Sequence, residues 1–157
     1  MKHSIKIGFS FGLTSGIITT LGLMVGLHSG THSRLAVVGG VLTIAIADAF
    51  SDALGIHISE ESEIKHTEKE IWISTISTFL SKLIFASSFL IPVILLPLSS
   101  AVVVSILWGF LLLGVFSYYL GRAQRIFPLR VMFEHWLTAG VVILLSQLVG
   151  ICISNLK

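Results

Sequence analysis

Ala45-Ile46-Ala47-Asp48-Ala49-Phe50-Ser51-Asp52 places two carboxylates one helical turn apart inside an apolar run. That run extends over 35–58, and about 20 apolar residues suffice to cross the hydrocarbon core of a bilayer. An ionised carboxylate at the bilayer centre costs at least about 2.5–3.5 kcal/mol on insertion scales. A chain that keeps two must hide them in a protein-lined path or pair them with a cation.

Four further runs of the same kind, 7–28, 71–95, 101–121 and 134–154, leave little of the 157 residues for anything else. The expected fold is therefore an all-α membrane protein with five transmembrane helices, a single membrane domain over 1–157. Composition agrees: 54% of residues are hydrophobic and 11% charged, against roughly 25% charged in soluble domains. The net charge of +2 is small and scattered, so no nucleic-acid footprint exists. Cys152 is the only cysteine, which excludes an intrachain disulfide and a thiolate cluster. The chain opens on Lys2 and Lys6, but the run Ile7–Leu27 is too long for a signal-peptide core and has no Ala-x-Ala site. It reads as a retained first span.

Pro92 and Pro97, with Ser99-Ser100, predict a tight turn between spans three and four. Arg122–Phe133, amphipathic and containing Pro128, is expected at the membrane interface. Lys2, Lys6, Lys65, Lys69, Arg122, Arg125 and Arg130 fall on one side of the five spans, and only Arg34 and Lys157 on the other. By the positive-inside rule the N-terminus is cytoplasmic and the C-terminus outside.

Each span adds something. In the first, Gly8, Gly12, Ser15, Thr19, Gly22 and Gly26 share one helical face. Such small-residue seams let a second backbone approach closely, within the protomer or across a dimer; Ser15 and Thr19 could also supply oxygens to a cavity. In the second, Asp48, Asp52, Gly55 and Ser59 form one stripe, and carboxylates at i and i+4 can face one cation. In the third, Ser74, Thr78 and Ser81 share a polar face with Lys82, whose depth matches that of Asp48. A charge pair between them is expected; it would weaken permanent metal occupancy yet could serve as a proton-coupled switch. The acidic connector 59–70 holds five glutamates and reads as a solvated helix extension with pairs such as Glu61–Lys65. His28, His32, His57 and Glu134-His135 show no closed metal-site spacing. Without a Walker loop, a Gly-x-Ser-x-Gly elbow or a His-Glu-x-x-His pair, no enzyme is expected.

The chain resembles the vacuolar iron transporter family. Its run Ser15-Gly16-Ile17-Ile18-Thr19-Thr20 is similar to the family's Asp-Gly-x-x-Thr-Thr. Ala47-Asp48-Ala49-Phe50-Ser51-Asp52-Ala53-Leu54-Gly55-Ile56-His57-Ile58-Ser59, followed by Ser62-Glu63, is similar to its Ala-Asp-Ala-x-Ser-Met-x-x-Gly-Glu-Tyr-x-Ser. Leu113-Gly114, Gly140 and Gly150 are weaker likenesses. Five spans with a cytoplasmic N-terminus is the family topology. The resemblance implies a homodimer in the bilayer that exports ferrous iron or manganese from the cytoplasm in exchange for protons, with no tightly bound cofactor. By position Asp48 matches an acidic residue of the family's second span; Asp52, as a relocated carboxylate, and Glu63 complete the expected metal-facing acids, with Ser15, Thr19, His57 and Lys82 expected along the path. Ser15, Asp52 and Ile56 stand where the family has aspartate, methionine and glutamate; its metal-binding cytoplasmic helices are missing, and Lys82 is an added charge. The alternatives are a same-fold carrier of a non-metal solute held by Lys82, and a non-transporting structural protein. A prokaryotic plasma membrane is the expected location.

Overall fold

The computed structural model describes residues 2–156; Met1 and Lys157, the latter part of the charge count, lie outside the described residues. The described chain is helical throughout: α1 (Lys2–Thr31), α2 (Arg34–Thr43), a π-turn (Ile44–Asp48), α3 (Ala49–Ser62), α4 (Glu68–Ser88), α5 (Leu90–Leu95), α6 (Leu98–Ala123) and α7 (Pro128–Ser154). These make five helical segments long and apolar enough to span a membrane: His3–Thr31, Arg34–Ser62, Glu68–Leu95, Leu98–Ala123 and Pro128–Ser154. Their surfaces carry exposed Leu, Ile, Val and Phe, whereas Ser74, Thr78, Ser81, Lys82, Ser105 and Ser117 are buried. An apolar surface, with polar side chains kept inside among apolar ones, is the arrangement that hydrocarbon, not water, stabilises. The protein is an integral membrane protein by this measure.

Packing divides the chain into two compact units, one of the residues up to Thr20 with Val41–Leu90, the other of Leu21–Gly40 with Ile91 onward. In the first, α3 and α4 pair, and the N-terminal part of α1 lies on α4. Gly8 and Gly12 are the reason it can. A Cβ on Gly8 would overlap the Ser74 carbonyl, and one on Gly12 would overlap Ser81 Oγ and the Thr78 carbonyl. In the second unit, α6 and α7 pair, with the Trp136 indole over Gly114 and its Nε1 donating to the Phe110 carbonyl at 2.9 Å. There Gly22 and Gly26 lie against Val142 and Ser146 of α7. The glycine seam of the first span is thus filled from within the chain.

Several boundaries differ from expectation, each for a local reason. Pro92 does not sit in a turn; it lies inside α5, and the helix breaks before it at Phe89, since proline has no N–H to donate to the ladder and its ring crowds the carbonyl four residues earlier. The turn itself is confined to Leu96-Pro97. Arg122–Phe133 is not one continuous amphipathic segment but is divided between two helices: α6 runs to Ala123 and α7 starts on Pro128, a residue suited to the first helical position. Arg125, at φ 58°, makes the reversal. The acidic connector is shorter than expected. Ile64 at φ 55° ends the helix, so Lys65 falls beyond the reach of an i,i+4 pair with Glu61. Thr67 then starts α4 with a capping box, its hydroxyl accepting from the Glu70 amide while Glu70 accepts from the Thr67 amide.

Candidate functional site

Lys82 is fully buried in the first unit, on the face of α4 that also carries Ser74, Thr78 and Ser81. Its ammonium lies 2.5 Å from Asp48 Oδ2 and 2.5 Å from Asp52 Oδ2, and it donates to Ser15 Oγ at 2.9 Å. An ammonium has three N–H donors, and each has an acceptor. Gly16 makes room on the α1 side: a Cβ there would come within 3.3 Å of Lys82 Cγ. The expected Asp48–Lys82 pair is therefore part of a larger cluster that takes in Asp52 and Ser15.

Backbone geometry positions the two acids. The π-turn Ile44–Asp48 ends on the first of them, and α3 begins at the next residue. No residue in Ile44-Ala45-Ile46-Ala47 is a helix breaker, so nothing in composition dictates the wider turn. Such turns recur at functional sites, where they change the direction in which side chains leave the helix. Asp52, one α-turn on, reaches the same nitrogen.

Burial in the cluster is uneven. The lysine side chain has no accessible surface, but Asp48 keeps 31% of its own and Asp52 18%. The cation is sealed and the anions have an open flank. With both carboxylates ionised and the lysine protonated, the cluster carries one uncompensated negative charge.

Other residues named from sequence lie elsewhere. Thr19 Oγ1 bonds to the Ser15 carbonyl of its own helix at 2.7 Å. His57 Nδ1 pairs with Thr75 Oγ1 at 3.0 Å, and its ring meets Trp72 edge-on at 4.8 Å. It lines an apolar groove of about 410 Å³ with Phe50, Trp72 and Phe79, apart from the lysine cluster. Glu63 is exposed and pairs with His66 at 3.6 Å. Among the described residues no three His, Cys, Asp or Glu side chains converge, so Glu63 does not join Asp48 and Asp52. The oxygens that could receive a cation in place of the ammonium are those of Asp48, Asp52 and Ser15.

Glu60 was hidden from sequence reading by its neighbours in the acidic connector. It is buried in the first unit, its Oε2 against Ser74 Oγ. The signal was present: Asp48, Asp52, Ile56 and Glu60 recur every four residues, so a helix continued through Ser59 brings Glu60 onto the Asp stripe.

No family model, curated protein or solved structure matches this chain.

Proposed function

We propose that this chain is a small membrane carrier that exchanges a divalent cation of the ferrous-iron or manganese class for protons, with Lys82 as the resident cation of the unloaded site. One observation carries the reading: two carboxylates clamp a buried cation yet keep an accessible flank of their own. A purely structural clip gains from sealing its anions; a site that admits ions needs them reachable. Carboxylate and hydroxyl oxygens are ligands that iron(II) and manganese(II) accept. A divalent ion compensates both acids where lysine compensates one, which favours displacement of the ammonium. Protons arriving on the same carboxylates release the ion again.

The saturation of Lys82 argues against an anionic solute, because no N–H is left to bind one. It also favours a second reading, a closed structural clip. Buried pairs of that kind tolerate replacement by well-packed apolar residues.

The proposed assembly is a homodimer in the bilayer. Ala47, Ser51, Gly55 and Ser59 recur every four residues and are exposed, and a Cβ on Gly55 would meet nothing within 4 Å. Such a small-residue face suits a second copy of the helix, which would also shield the open flank of Asp48 and Asp52 from lipid. In this reading the N-terminus is cytoplasmic, as the lysine and arginine distribution requires.

The test is manganese and ferrous-iron flux in proteoliposomes under an imposed pH gradient. Flux with counter-movement of protons, lost in Asp48→Asn and Asp52→Asn, supports exchange. Flux unchanged by Asp52→Asn refutes the assignment of the site, and absence of flux above empty liposomes favours the clip.

A further inference from the structure

His28 and His32 meet at the end of α1, in the second unit. The His32 amide donates to the His28 carbonyl at 3.0 Å, which closes the last helical turn and sets the two side chains one turn apart. Their imidazole rings face each other with centroids 5.5 Å apart and planes tilted by 49°. His28 is half-buried and His32 exposed.

Backbone preference at this helix end runs against a histidine. The φ of His32 is 51°, the left-handed conformation in which helices commonly end on glycine, because a Cβ is crowded there. A strained residue of this kind points to a role for its side chain.

The ring nitrogens are also free. His57 Nδ1 is 3.0 Å from Thr75 Oγ1, His135 Nδ1 is 2.6 Å from Ser117 Oγ, and His66 Nε2 is 3.6 Å from Glu63. Among the described residues, His28 and His32 have no such partner and meet only each other's ring. Arg34, the nearest charged residue in sequence, donates to the Leu96 carbonyl at 2.7 Å.

Histidines four residues apart on a helix are a recurring metal-holding pair, and the ring separation suits a shared ion. Zinc about 2 Å from one nitrogen of each ring lies about 3 Å from each centroid, and a tetrahedral angle then sets the centroids about 5 Å apart. No third His, Cys, Asp or Glu joins the pair among the described residues, so water completes the coordination and the site is open. Imidazole suits zinc, whereas carboxylate oxygens suit manganese.

We infer that His28 and His32 form a zinc-binding site, separate in ligand chemistry from the carboxylates around Lys82. This goes beyond the carrier proposal and does not depend on it.

NMR of the full chain in detergent, labelled at its six histidines and titrated with zinc(II) alone, tests it. Imidazole signals report this pair and are blind to binding by carboxylates alone. The expected result is that His28 and His32 shift together with one affinity. In His32→Gly, which suits the left-handed backbone and keeps the helix end, the affinity read at His28 should fall at least about tenfold, since even a lost hydrogen-bond partner of a metal ligand costs about 10–100-fold. A smaller loss, or no shift of the two rings at about 1 mM zinc, overturns the inference.

Discussion

Replacing Lys82 by methionine keeps the buried stem and removes the charge, so it isolates what the ammonium does. Asp48 Oδ2 and Asp52 Oδ2 each lie 2.5 Å from Nζ. They are therefore at most about 5 Å apart, and without the cation they repel by about 3 kcal/mol at an effective dielectric constant of about 20. Breaking a buried pair by removing one partner costs about 3–5 kcal/mol in general, so Lys82→Met should destabilise the fold by that order. Asp52→Asn in the same background removes the repulsion. The double variant should recover part of the loss, with a coupling of about 1–3 kcal/mol in the cycle. Equilibrium unfolding of purified protein in mixed micelles, wild type against the two singles and the double, measures it. A Lys82→Met variant within about 1 kcal/mol of wild type, or strictly additive singles, would refute the argument that the acids are held by this cation.

Two other outcomes follow from packing and charge. Gly12→Leu should destabilise by about 1–3 kcal/mol or more, because the new side chain meets the Thr78 backbone; Gly55→Leu should leave unfolding of the detergent-dispersed monomer unchanged yet abolish the proposed dimer, read by cross-linking in liposomes. In a Cys152→Ser background, a cysteine at Ser62 should react with impermeant thiol reagents only from the cytoplasmic side, and one at Asn155 only from outside. The reverse pattern would overturn the orientation.

The spans were legible because lipid-facing helices must be apolar along their whole length, and nothing else in the chain is. Their ends were less so. Pro92 and Pro128 read equally well as turn residues, and only the helices around them show one after a break and the other at a start. The glycine spacing of α1 announced close packing, but periodicity cannot say against what: Gly8 and Gly12 meet α4, while Gly22 and Gly26 meet α7. Lys82 could be matched in depth to Asp48 by counting residues. Asp52 follows from its i,i+4 spacing; that Ser15 joins them follows from how closely α1 packs on α4 at Gly12 and Gly16, which spacing alone does not reveal. Glu60 was obscured because a run of glutamates reads as solvated, although its four-residue spacing from Ile56 and Asp52 places it on the stripe.

Titration of purified protein with manganese(II) in detergent, followed by calorimetry, addresses the resident-cation claim most directly. If metal and ammonium compete for the same carboxylates, Lys82→Met should bind more tightly than wild type, and Asp52→Asn more weakly than either. Equal affinity in all three proteins, or no binding to any, would contradict it.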